Sequence, residues 1–264
     1  MKKVFTCIML LLAAASVSAQ SSKVVKKNKE AIKSYFASSL AESRGNFEKD
    51  AKIDIDAIEE TRAAVWNVWK NSVEEFNEEK LIPLAPLEER KTGKWRLPAN
   101  LEPNAVMPYY LGINTLDKVE GKLPLFLYMH GSGAKEREWA TGYIICSRFK
   151  DAPSLYFIPQ IPNEGSYYRW WQRAKLFAWE RLLRQSFLND EVNANRIYLF
   201  GISEGGYGSQ RLASYYADYL AAAGPMAGGE IPSEAPAENC GHIGFSLRTG
   251  ANDFMFSRHM LTAR

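Results

Sequence analysis

Histidine and cysteine are scarce here, with three of each in 264 residues. Cys146 and Cys240 stand alone, without a C-x-x-C partner, so no metal site is expected and no cofactor motif is present. The two thiols are free to pair in an oxidising compartment or to lie buried apart. Charge is also nearly balanced, at a net +3 that includes Lys2 and Lys3. That excludes an electrostatic footprint for nucleic acid or for a membrane surface. The chain has no internal repeat and no low-complexity segment. Beyond its first twenty residues it also has no apolar run long enough for a membrane span, which needs roughly 20 residues.

What is present begins with "MKKVFTCIMLLLAAASVSAQ". Two lysines precede a short apolar run, and Val17 and Ala19 suit the −3 and −1 positions of a signal-peptidase site. Residues 1–19 are therefore expected to be an export signal, placing the remainder in the periplasm or outside the cell. A membrane anchor is the weaker reading, because the run is short. Residues 20–90 read as a helical N-terminal extension docked on a main domain. Within it Ile58, Val65, Val68, Trp69, Val73 and Phe76 recur at helical spacing, until Pro83 and Pro86 forbid continuation.

From about Lys91 the texture becomes short apolar runs alternating with helical patterns. "MPYYLGIN", "LPLFLYM", "SLYFIP", "RIYLFG", "AAAGPM" and "IGFSLRTG" read as strands. Helices are expected near 136–149, 170–188 and over "YGSQRLASYYADYL". Strands alternating with helices predict an α/β domain over residues 91–264, with a mainly parallel, doubly wound sheet.

Gly201-Ile202-Ser203-Glu204-Gly205 matches G-x-S-x-G and lies between a buried strand and a helix. That setting defines a nucleophile elbow, with Ser203 projecting at the sheet's carboxyl edge. Residues two before and two after the serine must be small, and the Glu204 amide at the helix start can donate to a developing oxyanion. "YMHGSGA" ends an earlier buried strand and offers the amides of Gly131 and Ser132 as further donors. His130 reads as a brace for that loop rather than as a base. In "EGSYYRWWQR", Tyr167, Trp170 and Trp171 are candidates to stack on a sugar ring or a phenolic acyl group. Burial of Trp170 and Trp171 at the start of a helix is the competing reading.

These motifs resemble those of the α/β-hydrolase family, in particular secreted esterases of the polyhydroxybutyrate depolymerase and feruloyl or acetylxylan esterase type. The likeness covers about residues 105–258, and it also rests on "RTGANDFMFSR". It implies an exported carboxylic-ester hydrolase acting on a small-molecule or carbohydrate-linked ester, with Asp253 as the acid that orients a histidine. Asp253 also suits a helix N-cap. The family order is serine, acid, then histidine after one more helix and strand. Only 11 residues follow Asp253, so the last strand and its histidine are expected to be absent, as in a C-terminally shortened hydrolase. His242 and His259 are poorly placed to substitute, which leaves turnover by this chain impaired. Two rivals stand beside this reading. One is a prolyl-oligopeptidase-like serine peptidase, which shares the Ser-x-Gly-Gly-Tyr turn, and the other is a non-catalytic binding protein on the same fold.

Overall fold

The computed structural model describes residues 25–41, 52–114, 121–150 and 153–263. The expected export signal, residues 1–19, lies outside the described residues. The chain forms two compact units, Met1–Glu78 and Glu79–Arg264.

The first unit is helical. Helix α1 spans residues 25–40, and α2 spans Ile58–Glu75. Lys33 on α1 pairs with Glu75 on α2 at 2.7 Å. Helix α2 buries Thr61, Val68, Ser72 and Val73, spaced as one helical face. Ile58, at the head of the expected stripe, is exposed, while Trp66 and Trp69 stack with centroids 4.6 Å apart.

The second unit begins earlier than the expected boundary at residue 90. Leu81, Ile82 and Leu84 pack on the sheet's core, and the Ile113 amide donates to the Ala85 carbonyl at 2.9 Å. Its sheet has seven strands: β1 (Thr92–Arg96), β2 (Val106–Asn114), β3 (Leu123–Met129), β4 (Ser154–Pro159), β5 (Val192–Ile202), β6 (Ala222–Met226) and β7 (Gly244–Phe245). The spatial order is β1-β2-β4-β3-β5-β6-β7. β2 runs antiparallel to both its neighbours, and every pairing from β4 through β7 is parallel. Sequence reading missed β1, whose only buried side chain is Trp95. The last run read as a strand, "IGFSLRTG", forms β7 over two residues, both exposed at the sheet's edge, with an isolated bridge further on at Arg248.

The inner strands are apolar throughout because both faces are covered. In β4, Leu155 and Phe157 join a core with α4 (Arg173–Leu188) and α5 (Glu204–Tyr216), while Tyr156 and Ile158 join another with α3 (Lys135–Ser147). Cys240 belongs to the first core and Cys146 to the second, so the thiols lie on opposite faces of the sheet and form no disulfide.

One polar pair lies inside this packing. Lys175, on the first turn of α4, and Glu102, from the loop ahead of β2, form an ion pair with side chains 0% and 1% exposed. Burial lowers the Lys175 pKa, and Glu102 opposes that shift. Lys175 Nζ also donates to the Tyr167 carbonyl (2.7 Å) and to Gln172 Oε1 (2.9 Å). Glu102 Oε1 accepts from Asn163 at 3.0 Å. Removing one partner strands a buried charge, so Glu102→Ala is expected to lose about 3–5 kcal/mol in urea unfolding. The double variant Glu102→Leu/Lys175→Met is expected to recover most of that loss. Equal losses in the single and double variants would show that the charge is not the cause.

Candidate active site

The sheet register brings the serine turn and the donor loop side by side. Met129 at the end of β3 pairs directly with Gly201 of β5, and Ile202 pairs with Met226 at the end of β6. The residues that follow, His130-Gly131 and Ser203, therefore leave the sheet together at its carboxyl edge. A Cβ placed on Gly131 would lie 3.4 Å from the Ser203 Cβ.

Ser203 joins β5 to α5 with φ 55° and ψ −116°, a conformation that costs a residue with a side chain of order 1–3 kcal/mol. Its amide donates to the Met226 carbonyl at 3.0 Å, and its carbonyl accepts from Tyr207 at 3.0 Å. The turn is tight enough that a Cβ at Gly201 would collide with the Gly205 carbonyl, and one at Gly205 with the Met129 carbonyl. Both glycines of the motif are thus required by close backbone approach. The Glu204 amide opens α5, where the first N–H groups have no intrahelical acceptor.

The donor loop is held from behind. Ile161 donates its amide to His130 Nε2 at 3.1 Å, so that nitrogen carries no proton. Nδ1 then carries the proton and lies 2.8 Å from the Gly131 carbonyl. His130 is fully buried and braces the loop as the sequence suggested, with both ring nitrogens committed away from Ser203. Burial pushes its pKa down to about 4, against a smaller rise from the Gly131 hydrogen bond.

The other histidines are elsewhere. His242 precedes β7, at the amino end of the sheet, and meets Asp218 at 3.4 Å on an exposed surface. His259 Nδ1 lies 3.2 Å from the Asp253 backbone carbonyl, and its ring sits edge-on to Phe254. Among the described residues, no histidine hydrogen-bonds the Ser203 side chain.

Asp253 stands at the same edge as Ser203. The chain beyond β7 bridges Met226 at Arg248, and Asp253 follows five residues later. Its Oδ2 accepts from Thr249 Oγ1 (3.3 Å) and Arg258 Nη1 (3.4 Å), and Oδ1 accepts from the Met255 amide (3.3 Å). The last contact reaches only two residues along the chain, and the N-cap of the short helical turn Met255–Ser257 is Phe254, so Asp253 does not take the capping role. Arg258 in turn donates to the Tyr207 hydroxyl at 3.1 Å, one turn beyond Ser203 on α5.

The aromatic segment requires a correction. Trp170, a candidate for substrate stacking, is 0% exposed. Its Nε1 donates to the His130 carbonyl at 2.9 Å, and its ring tilts against Trp179. It has no face left for a ligand, because the sheet and α4 enclose it. Tyr167 is half-buried, with its ring 5.8 Å from Lys175 Nζ. Trp171 is half-buried and helps line a cavity of about 380 Å³ with Arg211, Leu212, Tyr215 and Glu234. Arg211 lies over the Trp171 ring at 4.5 Å and pairs with Glu230 and Glu234, each at 2.6 Å. Arg211 is eight residues past Ser203 on α5, roughly 12 Å along the axis. Tyr168 takes a different place, with its hydroxyl 2.6 Å from the Gly131 carbonyl and 2.9 Å from that of Gly133. Nothing in the sequence marked it out from its neighbour Tyr167.

The mainly parallel sheet, the Gly201–Gly205 turn after β5 and the glycine-containing loop after β3 are arranged as in the α/β-hydrolase fold. No protein-family model and no curated protein matches the sequence. Solved structures similar to the chain include a thermostable esterase, with TM-score 0.43, 20% identity, and 63% of this chain covering 56% of that one. An enterochelin esterase from Shigella flexneri is similar with TM-score 0.40 and 14% identity, over 56% of this chain and 38% of that one. An acetyl xylan esterase from Aspergillus awamori is similar with TM-score 0.38 and 10% identity, over 56% of each chain. The chain spans less than two thirds of the length of each.

The folded pKa of His130 lies below its unfolded value of about 6.5. Neutral His130 therefore stabilises the fold fully above that value, and the contribution is lost as pH falls through about 4. Each unit in that window costs about 1.4 kcal/mol. Nitrogen NMR is expected to show a neutral, Nδ1-protonated His130 at pH 5.5. An imidazolium signal for this ring at that pH would contradict the assignment.

Proposed function

We propose that the chain is a carboxylic-ester hydrolase in which Ser203 is the nucleophile and the base is not supplied by its own histidines. The observation that carries this reading is the Ser203 turn, held at positive φ beside Gly131. Few structural needs other than nucleophile presentation require a serine there. In the proposed reaction a base takes the Ser203 hydroxyl proton as Oγ attacks the ester carbonyl carbon. The carbonyl π pair moves onto oxygen, where the Gly131, Ser132 and Glu204 amides stabilise it. Collapse expels the alcohol oxygen, which takes the proton from the base, and water later releases the acyl group by the same route. Asp253 is the acid assigned to orient an imidazole, supported by its place at the same sheet edge.

The cavity at Trp171 supports a substrate whose ring-bearing portion extends from the scissile ester, such as a carbohydrate-linked or phenolic ester. The amino-terminal pattern supports export, so protein recovered from the periplasm or medium is expected to begin at Gln20.

The test is hydrolysis of p-nitrophenyl acetate with and without added imidazole, using Ser203→Ala as control. The expected result is slow turnover by the chain alone and a Ser203-dependent increase of at least about 10²-fold with imidazole, the usual scale of general-base catalysis. Acetylated and feruloylated sugars form a second arm, in which Trp171→Ala is expected to raise KM for the sugar esters but not for the small ester. Rapid Ser203-dependent turnover without imidazole would show that the chain carries its own base. No Ser203-dependent turnover in either condition would favour a non-catalytic binding role.

A further inference from the structure

The two halves of the candidate oxyanion hole come from different strands, and something must set the distance and angle between them. In a planar trans peptide the carbonyl and the following amide point in opposite directions. Whatever grips the carbonyls of His130 and Gly131 therefore aims the amides of Gly131 and Ser132. The His130 carbonyl accepts from Trp170 Nε1 at 2.9 Å. The Gly131 carbonyl lies 2.6 Å from the Tyr168 hydroxyl, which also lies 2.9 Å from the Gly133 carbonyl. A phenol has one hydrogen to give, so sharing it draws those two carbonyls together and bends the loop.

The residue between these two holds the other half. Arg169 Nη1 meets Glu204 Oε2 at 3.1 Å and donates to the Tyr168 carbonyl at 2.8 Å. Glu204 follows Ser203 directly, and its amide is the elbow's donor. Its side chain is 12% exposed and that of Arg169 49%, so the contact is shielded on the Glu204 side and open to solvent on the other.

We propose that Tyr168-Arg169-Trp170 is a clamp that sets the oxyanion hole, with three successive side chains tying the donor loop to the serine elbow. The inference rests on the serine-hydrolase reading of the site. All three are positioning residues, acting through backbone they hold. The clamp is itself anchored, since Trp179 Nε1 donates to the Trp170 carbonyl at 2.9 Å and Lys175 donates to the Tyr167 carbonyl at 2.7 Å. A Cβ on Gly208 of α5 would lie 2.7 Å from the Trp170 Cβ, so α5 also abuts the segment.

Phenylalanine at position 168 fills almost the same volume and lacks only the hydroxyl, which separates aiming from packing. The experiment compares the chain with its Tyr168→Phe and Arg169→Gln variants on p-nitrophenyl acetate and its thionoester analogue, with imidazole present. An aimed oxyanion hole favours oxygen over the larger, weaker acceptor sulfur, so the ester-to-thionoester rate ratio reports its geometry. Tyr168→Phe is expected to keep the parent circular dichroism and its KM, while kcat on the ester falls about tenfold, a fraction of the cost of losing a whole donor. The ester-to-thionoester ratio is expected to shrink with it, and Arg169→Gln to move both in the same direction. An unchanged kcat, or a lower kcat with an unchanged ratio, overturns the clamp. Failure of the hydrolase reading shows separately, as a parent chain no faster than Ser203→Ala before any clamp variant is measured. The clamp falls with it, having no oxyanion to serve.

Discussion

Ser203 is held in a conformation that a residue with a side chain avoids, and the surrounding sheet is built to hold it. β5 is paired on both sides up to the turn, by β3 at Gly201 and by β6 at Ile202. The Met226 carbonyl takes the serine's own amide, and α5 begins at the next residue. Strain of about 1–3 kcal/mol persists only where neighbours over-determine it, and here two strands and a helix do so. The same pairing delivers Gly131 to the serine, because Met129 and Gly201 are partners across β3 and β5. The placing of the two loops side by side is therefore a consequence of strand register.

That dependence explains which parts were legible in the sequence. The inner strands announced themselves, since burial on both faces leaves continuous apolar runs such as "LPLFLYM". The serine turn was legible because glycines at positions 201 and 205 answer a local steric demand. β1 was not legible: an edge strand reading "TGKWR" buries one side chain and needs no apolar pattern. Trp170 and Tyr168 were not legible for a different reason. Their roles depend on which carbonyls lie across the sheet's edge, and no local spacing encodes that. An aromatic-rich segment beside a candidate site looks the same in sequence whether its rings face substrate or hold backbone. The division between the two units likewise moved to Glu79, since packing of Leu81–Leu84 on the sheet is a tertiary fact.

His130 shows how a titratable side chain can serve a catalytic fold without titrating. Its two nitrogens meet one amide and one carbonyl, and only the neutral ring offers one acceptor and one donor at once. Protonation would set the Nε2–H donor against the Ile161 N–H donor. The histidine of the loop beside Ser203 is thereby withdrawn from acid–base work, and its burial makes the withdrawal durable.

The buried Lys175–Glu102 pair belongs to the same construction. Ion pairs fully removed from water are poor sources of net stability, so the position of this one is more informative than its strength. Lys175 spends its remaining protons on the Tyr167 carbonyl and Gln172, and Glu102 takes Asn163 on the far side of the same loop. The segment from 163 to 172 is thus tied down at both ends by one charge pair. Tyr168, Arg169 and Trp170 lie between those ties and reach the donor loop and the elbow. Two strands can place two loops near each other, but they leave the orientation of individual peptide planes open. A third element, pinned independently and touching both, closes that freedom, and in this chain the aromatic segment is the element so placed.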